Sequence, residues 1–173
     1  MELEFYLLEK CHALAILNWQ YPAPYDCYNF PQDNHQTDLS YLLDRQNSFL
    51  AMLNQYRELV GYCSFGADGQ VPGGDYSDQA LDIGMGIRPD LVGQGNGKQY
   101  VMAVAHYGVQ RYQTSQLRVT IAAFNQRAQR VWHSLGFEPV ETFYKTNSRE
   151  QFVVMVGFGA SSSRHCIFYP YTS

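Results

Sequence analysis

Gly93, Gly95 and Gly97 alternate with Gln94 and Asn96, and Lys98 follows directly. Glycine tolerates left-handed backbone angles and carries no Cβ, so successive N–H groups in such a loop can converge on an anion. The lysine adds a point charge. The stretch follows an apolar run ending at Pro89 and opens a helical pattern, which would place free amides and the positive end of a helix dipole together. The chemistry such an arrangement suits is the holding of a polyphosphate. It is not a Walker A loop, because Val92 stands where the first glycine is needed and Gln99 where the magnesium-binding hydroxyl is needed. Nor is it a dinucleotide fingerprint, since the glycine spacing is wrong and no full βαβ unit precedes it. Taken alone, it reads equally as a glycine-rich turn.

The strand before the loop adds information. Leu81, Ile83, Met85 and Ile87 point one way, while Asp82, Gly84, Gly86 and Arg88 point the other. Two glycines weaken a β-prone strand, and close approach by a ligand or another backbone is the expected reason for them. Pairing that opens near Gly86 and Ile87 would free backbone groups for an amide-rich ligand. Downstream, Asn125 stands at the start of a helix expected over 126–135, where asparagine is a preferred N-cap; a cap and a ligand contact are compatible there.

Met85–Lys98 taken with Asn125–Phe137 resembles the GNAT superfamily of acyl-CoA-dependent N-acetyltransferases. Its loop pattern, Arg/Gln-x-x-Gly-x-Gly/Ala, maps onto Val92, Gly93, Gln94, Gly95, Asn96 and Gly97. A second pattern maps onto Asn125, Ala128, Trp132, Gly136 and Phe137. The resemblance spans residues 3 to 157 in element order. It implies a mixed α/β (α+β) fold with a twisted, mostly antiparallel central sheet splayed at one strand and helices on both faces. It also implies that the backbone of Met85, Gly86 and Ile87 holds the pantetheine and thioester carbonyl of acetyl-CoA. The amides from Gly93 to Lys98 would take the pyrophosphate, and the Asn125 side chain would bond the pantetheine. The chain departs twice, with Val92 for the usual Arg or Gln and Trp132 for the usual Tyr. Losing one polar side chain at Val92 leaves a backbone cradle intact.

Acyl transfer to an amine needs a neutral amine, a polarised carbonyl and a proton for the leaving thiolate. Alignment of the reactants supplies up to roughly 7–11 kcal/mol, and a strand-fixed N–H near Ile87 is the natural oxyanion donor. Asp82, on the glycine face, is the first candidate base, with a structural aspartate as the alternative; a carboxylate does this work near neutral pH only where burial strengthens it. Trp132 offers an indole N–H that donates but does not protonate a thiolate; it packs in the core or against the thioester end. Tyr144 is a candidate acid or a packed tyrosine. Aromatic residues alternate with prolines between Trp19 and Pro31, and Tyr25, Asp26 and Tyr28 are the expected walls and anchor of an amine acceptor site, or else a self-packed surface loop. Arg127 and Arg130 either form a solvated face or reach a phosphate. No metal is expected: His12, His35, His106 and His133 lack partners at ligand spacing.

These residues need a scaffold. Strands are expected over 3–8, 49–56, 59–65, 81–88, 117–122, 140–145 and 151–157, and helices over 12–19, 38–45, 97–112 and 126–135. A length of 173 residues predicts one domain, here 1–157, with 158–173 as a tail without periodicity. The net charge of −4 gives no electrostatic case for nucleic acid or an anionic membrane. Nothing at the start resembles a secretory signal, the four cysteines are scattered without a C-x-x-C pair, and no apolar run is long enough to cross a bilayer, so a cytoplasmic protein, monomer or homodimer, is expected. Three functions fit: acetyl transfer to a small-molecule amine, acetyl transfer to protein N-termini or lysines, and non-catalytic acyl-CoA binding.

Overall fold

A computed structural model describes residues 2–158 of the chain. The elements in order are β1 (Leu3–Leu7), α1 (Lys10–Leu17), α2 (His35–Leu43), β2 (Leu50–Asn54), β3 (Leu59–Phe65), β4 (Leu81–Ile87), α3 (Gly97–Tyr112), β5 (Gln116–Ala122), α4 (Gln126–His133), β6 (Glu138–Tyr144) and β7 (Gln151–Phe158). The expected elements are present, with ends moved by a few residues. α1 and α2 begin earlier than their apolar periodicity suggests, at Lys10 and His35, because their first turns are carried largely by polar residues outside the apolar repeat. The tail proposed for 158–173 lies, apart from Phe158, outside the described residues.

The strands form one seven-stranded sheet in the order β1-β2-β3-β4-β5-β7-β6. Every pairing is antiparallel except β4 with β5. Alternation along the strands gives two faces, and helices cover both. On one, Tyr100, Val101 and Val104 of α3 and Trp132 of α4 pack on Cys63, Phe65, Ile83, Leu117 and Val119. On the other, Ala13, Ile16 and Leu17 of α1 and Leu42 of α2 pack with Trp19 and Phe49, and Tyr62 borders them. Non-directional burial of these apolar side chains holds the layers together.

β4 and β5 are parallel neighbours only at Leu81↔Leu117 and Asp82↔Arg118, whereas β4 pairs with β3 from Ile83 through Ile87. The sheet therefore opens earlier than the glycine pattern suggests, just beyond Asp82. The opening forms a cleft between the C-terminal half of β4 and β5. The two glycines have a different cause from the expected ligand or backbone approach. A Cβ on Gly86 would stand 2.5 Å from the Tyr62 ring, and one on Gly84 would stand 2.5 Å from Ser64 Oγ and 3.0 Å from Asp68 Oδ2. Cross-strand side chains from β3, with Asp68 beyond its end, fill the space above the glycines.

Candidate active site

Backbone polarity makes the cleft chemically useful. Arg88 N donates to Val60 O and Gly66 N to Asp82 O, both at 2.9 Å. Hydrogen-bonded pairs alternate along an antiparallel ladder, so even-numbered residues of β4 face β3. Met85 and Ile87 consequently turn their N–H and C=O groups toward the opening. Ile87 O accepts a hydrogen bond from Tyr21 Oη at 2.9 Å.

The glycine loop lies at the mouth of this cleft. Gly93 and Gly95 have φ of +83° and +82°, the left-handed region that glycine enters without strain. Among the described residues, nothing bonds the backbone N–H groups from Gly93 through Lys98. Those of Gly97 and Lys98 open α3, where no intrahelical acceptor exists and the helix dipole is positive. The loop is braced from below: Gln94 Nε2 donates to Asp90 O at 2.6 Å, and Arg88 pairs with both oxygens of Asp90 at 2.7 and 3.1 Å. That pairing holds the Asp90 carboxyl below the usual carboxylate range. Val92 contributes no polar group, as expected from its side chain.

The far wall is the start of α4. Asn125 caps the helix, its Oδ1 accepting from Ala128 N at 3.1 Å, which leaves the side-chain amide pointing elsewhere. That Nδ2 donates to Tyr28 Oη at 3.3 Å. Phe124 meets Tyr25 and Tyr28 with ring centroids 5.9 and 6.0 Å away, and the Arg127 guanidinium lies 4.3 Å over the Tyr25 ring. Arg127 also borders the loop, its Nη1 lying 3.8 Å from where a Gly93 Cβ would be.

Within the aromatic segment, Tyr25 and Tyr28 pack on the Asn125 wall. Asp26 is exposed, without an ion pair among the described residues.

Three further candidates are corrected. Asp82 is 3% exposed, and its oxygens are taken by Arg118 Nε at 2.6 Å, Arg118 Nη2 at 2.9 Å and Gln70 Nε2 at 2.8 Å. Five residues of strand put it about 17 Å from Ile87. It is a structural ion pair, with no oxygen free to act as a base. Trp132 is 3% exposed and packs edge-on against Phe137 at 4.7 Å, a core position that presents no surface to the cleft. Tyr144 is 63% exposed at the end of β6, and its hydroxyl makes no hydrogen bond among the described residues, so nothing there poises it as an acid. The histidine reading also changes at one point: donor atoms of Glu9, Cys11 and His12 lie within 4.8 Å of one another at the exposed start of α1. His12 Nδ1 is already used there, accepting from Glu9 N at 3.3 Å.

Several residues that line this region were not singled out from sequence. Tyr62 covers Gly86 and lies 5.9 Å from Trp19 and 6.1 Å from Phe49, ring to ring; burial raises its phenol. Asp68 accepts from Ser64 Oγ and, at 2.7 Å, from Tyr41 Oη. No cation pairs with Asp68 among the described residues, so this carboxylate above Gly84 stands uncompensated. The one sequence signal for these residues is the glycine face itself, which demands large neighbours on β3.

Residues 13–137 match the model of the acetyltransferase (GNAT) family. No curated protein matches in sequence. Among solved structures, a chimeric spermidine N-acetyltransferase from Vibrio cholerae superposes with a TM-score of 0.71 at 14% identity, covering 92% of this chain and 96% of that one. A GNAT-family acetyltransferase from Bacillus anthracis gives 0.69 at 13% identity, covering 92% and 96%. The aminoglycoside acetyltransferase AAC(6')-Ib, in complex with coenzyme A, gives 0.71 at 18% identity, covering 91% and 95%.

Proposed function

Because this chain belongs to the GNAT acetyltransferase family, we propose that it moves an acetyl group from acetyl-CoA to a primary amine of a small molecule, by direct attack within a ternary complex. The observation that carries the reading is the unpaired edge of β4 beyond Asp82, which leads into a loop with six consecutive unbonded amides. The cleft suits an amide-containing arm, and the loop and the start of α3 suit a diphosphate. Asn125 Nδ2 adds a donor on the far wall.

In this reading the amides from Gly93 to Lys98 bind the pyrophosphate, and Met85–Ile87 hold the pantetheine. The Ile87 N–H, fixed by the ladder behind it, polarises the thioester carbonyl as negative charge develops on its oxygen. Attack by the neutral amine forms the C–N bond and breaks the C–S bond, the proton that the nitrogen loses passes to the departing CoA thiolate, and alignment of the two reactants lowers the barrier. The acceptor side lies over the side chains that cover Gly84 and Gly86, where the Asp68 carboxylate and the Tyr41 and Tyr62 rings favour a cationic molecule. The spermidine and aminoglycoside activities named for the similar structures belong to polyamine-like and amino-sugar acceptors, which have that character. Cytoplasmic residence accords with this chemistry; no helix among the described residues is long and apolar enough to cross a membrane.

A second reading, an acyl-CoA-binding module without turnover, is favoured by one observation: the α4 position that holds a tyrosine in the family pattern is a buried tryptophan here. Calorimetric titration with acetyl-CoA, followed by thiol release on a panel of amines, separates the readings. Gly95→Asp is the control, since a Cβ there meets nothing within 4 Å and aspartate tolerates left-handed angles better than most residues. Micromolar binding abolished by Gly95→Asp, with turnover of a diamine, is the expected result. Binding without turnover would favour the module, and no binding at millimolar acetyl-CoA would overturn both.

A further inference from the structure

The aromatic segment of residues 19–34 connects the two walls of the cleft. It is closed on itself by a side-chain clasp, in which Tyr21 N donates to Asn29 Oδ1 at 2.7 Å and Asn29 Nδ2 donates to Tyr21 O at 3.1 Å. From this clasp, Tyr21 reaches Ile87 O on the β4 wall at 2.9 Å. Tyr28 receives the Asn125 amide on the α4 wall at 3.3 Å, and Tyr25 lies under the Arg127 guanidinium at 4.3 Å.

Each of these three contacts falls on a group facing the proposed donor path. Ile87 O is a strand carbonyl turned into the opening. Asn125 Nδ2 is the half of the side chain left over after helix capping. Arg127 is a cation beside the glycine loop. The three tyrosines therefore occupy a backbone acceptor, a side-chain donor and a positive charge, the complements of a donor amide N–H, a donor carbonyl and a phosphate.

We propose that residues 19–34 form an autoinhibitory strap, which holds the cleft shut in the free protein by placing Tyr21, Tyr28 and Tyr25 on the groups that acyl-CoA must engage. The inference rests on the donor site described above. Acyl-CoA exchanges a phenol for its own amide at Ile87 and at Asn125, and its phosphates draw Arg127 off the Tyr25 ring. Entry of the donor and release of the strap are then one equilibrium, because a ligand stabilises only the state it binds better. The strap borders the aromatic acceptor side through Trp19, whose ring lies 5.9 Å from that of Tyr62.

Tyr21→Phe, Tyr28→Phe and the double variant test this, because each removes a hydroxyl and keeps the ring that packs. A residue that simply helps bind the donor would lose affinity on such a change; a strap residue gains it. Acetyl-CoA affinity by calorimetry is expected to tighten about five-fold in each single variant, the value of one net hydrogen bond, and further in the double. The association rate measured by stopped flow should rise in parallel. Tyr25→Leu, which removes the face under Arg127, should also tighten binding. Unchanged or weaker affinity in the double variant, in a protein whose wild type binds acetyl-CoA and loses it in Gly95→Asp, would overturn the strap and leave the donor site standing. Absence of binding in every variant and in the wild type would overturn both.

Discussion

Replacing Asp82 by asparagine isolates the Arg118 guanidinium in the most enclosed ion pair of the described residues. Both side chains are 4% exposed. The pair is bidentate, and the carboxylate favours the charged guanidinium, raising Arg118 above its ordinary range. Removing one partner of a buried pair typically costs about 3–5 kcal/mol. Arg118 keeps weaker partners, the carbonyls of Asp78 at 3.2 Å and Tyr76 at 3.5 Å and the Tyr76 ring at 4.8 Å, which places the cost at the lower end. A loss of about 3 kcal/mol in a domain of this size lowers Tm by roughly 6–12 °C. Thermal unfolding by far-UV circular dichroism reads the shift directly. Turnover per folded molecule, measured well below the new Tm, should stay within about two-fold of wild type, with an unaltered pH profile. The double variant Asp82→Leu/Arg118→Leu, which removes both charges and leaves apolar bulk, should recover much of the lost stability. A melting point within a degree of wild type together with a large fall in kcat would refute the structural assignment and return Asp82 to the reaction.

Two further outcomes are expected. Burial, as the leading cause, raises the phenols of Tyr21 and Tyr41 from 10.0 to about 12. Above pH 10 the unfolded chain releases protons that the folded chain retains, so stability present below pH 10 is lost as pH rises toward 12. Denaturant midpoints across that range should fall, with a shallower slope in Tyr21→Phe; an identical slope would contradict the buried state of its hydroxyl. Tyr144→Phe should leave kcat and its pH dependence unchanged, because the ring is exposed at the end of β6; a ten-fold loss would restore it as a proton donor.

Features that depend on local pattern were legible in the sequence. α3 begins and ends where its apolar spacing and glycine loop place it, and β3 has its expected bounds. The loop's left-handed glycines and the Asn125 cap follow from residue type and position. The features that escaped depend on register across the sheet. Asp82 meets Arg118 because two parallel strands touch at just two residue pairs, 36 positions apart in sequence. Tyr62 meets Gly86 because of the β3–β4 register, and no periodicity within either strand reveals that pairing. The strap contacts are more distant still, 66 residues from Tyr21 to Ile87 and 97 from Tyr28 to Asn125. A run of aromatics announces that it will pack somewhere without naming the wall it reaches.

The position of β7 between β5 and β6 bears on when this molecule becomes competent during synthesis. β1 through β4 form a consecutive antiparallel ladder that can assemble as the chain emerges. The opposite wall is different: β5 gains its long antiparallel partner only once residues 151–158 are made and inserted beside it. Until that late strand seats, the cleft has one wall and part of another, and the nascent chain exposes unpaired N–H and C=O groups along the edge of β5. A ligand spanning both walls therefore stabilises only the finished arrangement, by mass action.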